Sequence, residues 1–445
     1  MGMTMNMPLP TRRVFLKQTG AVAVGTATLG LMNRARANGP NEKIVMALIG
    51  PGGMGTSLLK SFAAQPDVAM TYVCDPDEAR MSKAADEVEK ISTHRPKQVK
   101  DMRRIFEDKQ VDAVIIATPD HWHGPAAILA CDAGKHVYVE KPCSHNIREG
   151  RLMIEAARRN RRVVQVGTQS RSAEHVIRAV ELLHSGAIGD VLVAKVWNSQ
   201  LRANIGHEKP STPPPGFDHD LWVGPAPMVP FQKNRHHSWW RWWYDFGTGD
   251  MGNDGVHDLD IGRWGLGVET HPTRIVAVGG KYFFDDDQQF PDTESVIFEY
   301  PAANGSLGTR QLIYEQRIWS PYVQEGHENG NAFYGTKGML ILGKGAGWKL
   351  YGPKNEPREE MKSVGLGLAH HRNFIECIRN GKKPNADIEI GHLSAALSHL
   401  GNIATRVGRM LRFDPKTERI LGDRKAAQLV RRRYRPGHWA VPKGV

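Results

Sequence analysis

Residues 43–64 constrain this chain more than any other stretch. "KIVMALI" is a near-continuous apolar run of strand length. A strand that is apolar on both sides must be covered on both faces, as in the interior of a parallel sheet. "GPGGMGTSLLKSFAA" follows at once, and Gly50, Gly52 and Gly55 fit G-x-G-x-x-G, with Gly53 and Met54 inside the turn and a helical pattern after it. Glycine permits the tight turn and lets the backbone approach a pyrophosphate. The helix N-terminus then offers free N–H groups and the positive end of its dipole. A second strand, "VAMTYVCD", ends in Asp75, twenty residues after Gly55. An acid there can bind both hydroxyls of an adenosine ribose and repel a 2′-phosphate, which favours NAD over NADP. A plain helix cap ahead of Pro76 is the competing reading of Asp75.

The alternation continues. "VDAVIIATP", "HVYVEKP" and "RVVQVG" read as buried strands, with "GPAAILACDAG" and "REGRLMIEAARRN" as helices between them. That spacing predicts β-α-β units and an α/β fold with a doubly wound parallel sheet over residues 41–166. Such sheets bind ligands beyond the carboxyl ends of their strands. Gly50 to Gly55, Asp75, Thr118-Pro119 and Glu140-Lys141-Pro142 all stand at such ends. "YVEKPCSHN" therefore delivers an acid and then a cation to the crevice edge, although a polar strand end stopped by proline would look the same.

A second, α+β domain is expected over residues 167–410. "DVLVAKVWNS", "TRIVAVGGKYFF", "ESVIFEYP", "GSLGTRQLIYEQ" and "NAFYGTKGMLIL" read as strands of one open, mainly antiparallel sheet, closed by helices around "HHRNFIECIRN" and "IGHLSAALSHLGNIATRV". Between them, residues 200–246 form a long irregular stretch rich in Pro, Trp and His. "HHSWWRWWYDFGTG" offers aromatic faces suited to the C–H side of a sugar, or equally to core or subunit contact. In "GTGDMGNDGVHDLDIGRWGLG", Asn253 and His257 lie four apart and share a helical face. The acids crowded beside His257 match no zinc spacing, and no metal is expected. Arg171, Tyr244 and Asp254 complete the set expected to face a substrate.

The net charge of +12 is uneven. The first 37 residues carry five basic and no acidic side chains, so it falls to +7 without them. Residues 411–445 read as a basic tail, solvated or in contact with a subunit. No nucleic-acid-binding signature accompanies it. At the amino terminus, Arg12-Arg13 precede Phe15-Leu16, a weak apolar stretch follows, and Ala35-Arg36-Ala37 ends it. That stretch is too short for a stable membrane span. The pattern resembles a Tat signal over residues 1–37, implying dealings with the Tat machinery and a periplasmic or extracellular destination. Cys74, Cys131, Cys143 and Cys377 form no metal or redox spacing and read as small buried hydrophobes, with Cys143 nearest the crevice.

"ALIGPGGMG", "ATPDHWH" and "GKHVYVEKP", in this order and spacing, resemble the Gfo/Idh/MocA family, over roughly residues 43–410. The resemblance implies a dinucleotide-dependent oxidoreductase of sugars, polyols and related compounds, and a homo-oligomer, dimer or tetramer, built on the open sheet. It places Lys141 in substrate binding and proton transfer and Glu140 beside the cofactor. It puts Thr118 and Pro119 at the nicotinamide ribose, with His123 in the same motif. It also makes His257 and position 253 the second catalytic pair. Family members commonly carry Asp where this chain has Asn253. Asn orients a ring but cannot stabilise an imidazolium by charge, and Asp254 or Asp258 compensates only if the backbone turns it inward. Because free NAD is scarce outside the cytoplasm, a tightly held cofactor is expected. A glycoside hydrolase of the same fold, which oxidises a hydroxyl transiently, is the alternative. Retention of Lys141 and His257 speaks against a non-catalytic sugar-binding relative.

Overall fold

A computed structural model describes residues 43–301, 308–365 and 367–445; the expected signal segment lies outside the described residues. Six parallel strands form the first sheet: β1 (Ile44–Ile49), β2 (Val68–Cys74), β3 (Lys97–Val99), β4 (Ala113–Ile116), β5 (His136–Val139) and β6 (Val164–Val166). Their order is β3-β2-β1-β4-β5-β6, so the chain reverses its winding direction between β1 and β4. That is where a doubly wound sheet opens its crevice. The helices between strands are α1 (Gly53–Ala63), α2 (Glu78–Ser92), α3 (Arg103–Glu107), α4 (Asp120–Asp132) and α5 (Ile147–Arg159). Ile44, Met46, Ala47 and Leu48 are wholly buried, as the apolar run requires.

Helix α4 starts at Asp120, earlier than its apolar pattern suggests, and takes "DHWH" into its first turns. Pro125 lies inside it. A proline there removes the N–H that would bond the carbonyl of His121. That carbonyl instead accepts Arg432 Nη2 at 2.7 Å. The same guanidinium pairs with buried Glu149 of α5 at 2.7 Å, and Tyr434 Oη donates to the same carboxylate oxygen at 2.7 Å. The basic tail is thus neither a solvated end nor a loose one: Ala440 joins the hydrophobic core of the first domain.

The second domain carries α6 (Glu174–His184), then β7 (Val191–Asn198), α7 (His219–Val223) and α8 (Val256–Gly265). Then come β8 (Arg274–Gly280), β9 (Thr293–Tyr300), β10 (Arg310–Arg317), β11 (Asn329–Gly335), β12 (Met339–Gly343), β13 (Gly347–Tyr351) and β14 (Pro357–Lys362). Helix α10 (Ile388–Val407), strands β15 (Leu411–Asp414) and β16 (Arg419–Leu421), and helix α11 (Arg424–Gln428) complete it, whereas α9 (Leu368–Asn380), expected in the second domain, buries Phe374 and Ile375 in the core of the first sheet against Phe62 and Tyr138. Ten strands form one sheet in the order β14-β13-β12-β11-β7-β10-β9-β8-β15-β16. Only β7 and β10 pair in parallel; every other pairing is antiparallel. Strands β15 and β16 come from residues read as tail, and they extend this sheet. Period-two alternation puts Val296, Phe298, Leu312 and Tyr314 into a core shared with Leu259, Leu397 and Leu400 of α8 and α10. The opposite face shows water Val276 and Ile297, which are cross-strand partners.

Candidate active site

The crevice at the carboxyl ends of β1, β2 and β4 is lined by Gly50, Gly52, Gly53, Met54, Asp75, Thr118 and Pro119. Gly50 has φ +91°, and a Cβ there would stand 2.7 Å from the backbone of Ala117 and Thr118. A Cβ on Gly53 would meet nothing within 4 Å, so the space in front of the turn is open. No side chain caps α1. Its first N–H groups are left for an anion, and the turn fits the pyrophosphate of a dinucleotide. Gly55 does not line this space: a side chain there would collide with the Gly50 carbonyl, so it sets the packing of α1 on β1. Burial pushes the Asp75 carboxyl up to about 7, although the Asp77 N–H donates to it at 2.8 Å. A ribose diol would supply the donors a buried carboxylate lacks.

The other wall of the crevice comes from the long irregular stretch: Trp222, His237, Trp240 and Arg241 face the glycine turn. Trp439 of the tail closes the side where Asp101 and Met102 lie, with the Arg103 guanidinium 4.5 Å from the centre of its ring. Of the clustered tryptophans, Trp242 is core and Trp240 lines the crevice.

Two residues expected at the cofactor sit behind it. His123 is buried, its ring between the carbonyls of Pro142 (2.7 Å) and Thr118 (2.9 Å), and burial lowers it to about 4. It ties two crevice loops together and does not line the crevice. Glu140 is buried against Gly167, with Oε1 unpartnered and its pKa raised by burial.

A cluster of charged side chains lies where the second domain meets Lys141. Lys141 Nζ donates to the carbonyl of Asn253 at 2.6 Å. Residues Met251–Gly255 form a π turn that runs into α8. Its wider i→i+5 bonding turns Asp254 inward, where it accepts Lys344 Nζ (2.8 Å), Asn329 Nδ2 (3.1 Å) and Arg202 Nη2 (3.3 Å). Lys344 also approaches Asp258 at 3.6 Å. Asn253 Nδ2 donates to Asp250 Oδ1 at 2.9 Å, and that buried acid also holds Asn198 and Arg202. The identity of residue 253 follows from this: its neighbour at 250 is already a carboxylate, and an amide supplies the donor it needs.

The His257 ring makes no hydrogen bond to a described residue. Burial, and then the cations Lys344 and Lys141, hold it well below the ordinary imidazole value, while Asp254 opposes them. A neutral imidazole thus stands within electrostatic reach of the Lys141 ammonium, one able to accept a proton and the other to hold an oxygen. Arg202, Asn329 and Lys344 carry no sequence signal; they arrive on strand ends scattered over the second domain.

Two expected substrate residues are elsewhere. Arg171 is buried in a two-point pair with Asp260, at 2.8 and 2.9 Å, and lies over Trp264. That pair commits its charge and two of its N–H donors to Asp260. Tyr244 faces a separate cavity, under Arg406 at 4.0 Å. The four cysteines are buried, and burial raises Cys143 to about 12, so it is not a nucleophile.

Comparison with known proteins places this geometry. A family model described as "Oxidoreductase family, NAD-binding Rossmann fold" matches residues 44–168, and its C-terminal alpha/beta companion matches 194–301 and 355–441. The scyllo-inositol 2-dehydrogenase (NAD(+)) of Bacillus subtilis is 26% identical over 361 residues, 77% of this chain and 88% of that protein. A glycosyl hydrolase family 109 protein of Saccharopolyspora erythraea is 29% identical over 203 residues, covering 41% of this chain and 44% of its own length. The aldose-aldose oxidoreductase of Caulobacter crescentus, solved with glycerol, superposes with TM-score 0.63 at 19% identity, over 84% of this chain and all of that one.

Proposed function

The chain belongs to the Gfo/Idh/MocA oxidoreductase family, and on that premise we propose that it is an exported, NAD-dependent oxidoreductase of sugars, polyols or glycosides whose cofactor stays bound. The enzyme class, an NAD-dependent oxidoreductase acting on CH–OH groups, is common to the inositol dehydrogenase and this chain's first domain. The convergence of Lys141, from the crevice edge, with Asn253 and His257, from the second domain, carries the reading. NAD supplies the hydride acceptor when bound. His257, neutral, takes the hydroxyl proton. Lys141 donates a hydrogen bond to the same oxygen and holds the charge that forms as the proton leaves. Asp254, through Lys344 and Arg202, balances the cations around that oxygen.

Retention of NAD is supported by the walls around the crevice, drawn from Trp222, Trp240, Arg241 and Trp439. Export is supported by the twin arginines and the small-residue site behind them. No helix among the described residues is long and apolar enough to cross a membrane. A homo-oligomer built on the sheet face that carries Val276 and Ile297 accords with the apolar side chains there. The second reading, glycoside hydrolysis through a transient oxidation, rests on the glycosyl hydrolase family 109 match and the same enclosed crevice.

The test is a mass spectrum of the nucleotide released from purified enzyme, paired with turnover on a panel of sugars, polyols and glycosides. Released NAD with oxidation of free sugars or polyols establishes the first reading. Net hydrolysis of glycosides without added NAD establishes the second. No nucleotide and no turnover on any of them overturns both.

A further inference from the structure

On the far side of the catalytic loop lies a second cavity of about 510 Å³, lined by residues that the proposed chemistry does not use. The loop that carries Lys141 continues through His145 and Asn146, and these two face the cavity. His145 is 8% exposed, yet neither ring nitrogen has a partner. His399 of α10 is 6% exposed, with Nε2 unpartnered. Asn146 Nδ2, Arg432 Nη1 and Asn402 Oδ1 are likewise buried without partners. Buried polar groups in folded proteins are nearly always bonded, and a concentration of orphans calls for an explanation. Asn146 Nδ2 and Arg432 Nη1 can only donate, whereas Asn402 Oδ1 only accepts and a neutral imidazole offers one donor and one acceptor.

At the rim, Arg406, Arg431 and Arg433 line the cavity, and none forms an ion pair with a described carboxylate. Arg406 lies over the Tyr244 ring instead. The one acid in the lining is Asp245. The Asn146 and Arg432 donors beneath unpaired guanidinium groups are the chemistry that grips an oxyanion, and the acceptors beside them suit sugar hydroxyls. An aromatic wall beside it suits a ring with an apolar face. The volume lies within the range of small-molecule pockets and far exceeds the ~30 Å³ share of a water.

We propose that this cavity is a binding site for a sugar bearing an oxyanion, whether carboxylate, sulfate or phosphate, separate from the reactive cluster. It gives the arginines of "VRRRYRP" and the tyrosine of "WWYDF" one shared purpose. It does not depend on which reaction His257 and Lys141 perform.

Thermal unfolding of the full-length, NAD-loaded protein tests this, so that the pyrophosphate site is already filled. Inorganic sulfate, inorganic phosphate and glucuronate are titrated separately at constant ionic strength held with chloride. At least one should raise the midpoint saturably, and which one does so identifies the group recognised. In an Arg431→Gln/Arg433→Gln variant, whose changes lie on the surface, the half-saturating concentration should rise at least tenfold. His399→Leu should abolish the shift. A cavity filled by water alone, seen as no saturable shift with any of the three, overturns the proposal. So does an unchanged half-saturation in the arginine variant, which would place the anion elsewhere.

Discussion

The dinucleotide crevice and the charged cluster around Lys141 and Asp254, proposed to move the proton, are assembled by opposite means. The crevice floor comes from local chain: each of Gly50, Asp75 and Thr118 stands at or just past the end of the strand that positions it. The cluster comes from distant chain: Lys141, Arg202, Asp254, Asn329 and Lys344 come from five separate segments and are joined through one π turn. A local site can be altered one residue at a time. A composite one answers as a unit, and that difference can be probed.

Lys141→Met and His257→Ala should each lower turnover by about 10² to 10⁴, the usual range for a lost proton-transfer group, while bound NAD is retained. The double variant should lose far less than the product of the two, because the groups act on one oxygen. Single-turnover rates and nucleotide content measure both, and full activity in either single variant removes that residue from the mechanism.

Arg432→Met strikes the first domain from its far end. It leaves Glu149 buried with one partner fewer and the His121 carbonyl bare. Breaking such a buried pair costs about 3–5 kcal/mol. Denaturant unfolding reads the loss; a change under 1 kcal/mol would mean that the tail is not integral to the domain.

Asp75→Ser should cut the preference for NAD over NADP by about 10- to 100-fold, the equivalent of one charged hydrogen bond at ~1.5–3 kcal/mol. Competitive reloading of stripped enzyme measures the ratio, and an unaltered ratio would reduce Asp75 to a cap.

Asn253→Asp restores the residue common in the family but sets a second carboxylate against Asp250. It should cost about 1–3 kcal/mol of stability, the penalty for a buried acceptor losing its donor. A variant as stable as the parent would show that the cluster can rearrange around the change. The smallest effect concerns pH. A base works in its deprotonated form, and His257 is held below the ordinary imidazole value. Its protonation limb therefore moves to lower pH, and single-turnover oxidation should stay level from pH 8 to below 6.5. A fall centred near 6.5 would mean an unperturbed ring.

Legibility followed the same division. Strand ends, the glycine turn and five of the six strands of the first sheet are readable because local pattern and topology coincide there, whereas the three-residue edge strand β3 is too short to leave a pattern. His257 is readable from its spacing to residue 253. The inward turn of Asp254 is not, because a π turn differs from an α turn by one hydrogen-bond step and leaves no periodic trace. Arg171 looks the same in sequence whether free or paired; Asp260, 89 positions away, decides it. The tail misleads for the reverse reason. Its charges suggest solvent, yet Arg432 is drawn inside by a carbonyl that Pro125 leaves unbonded, and composition cannot show that.

Trp439 also bears on the timing of synthesis. A nascent chain that has folded through α10 holds every strand of the first sheet and the whole glycine turn, but one wall of the crevice is still missing. If the cofactor is retained as proposed, nucleotide in such an intermediate would exchange faster than in the complete protein, and docking of the last segment would slow that exchange. During refolding that docking should be visible as a drop in the rate at which labelled NAD trades places with the pool.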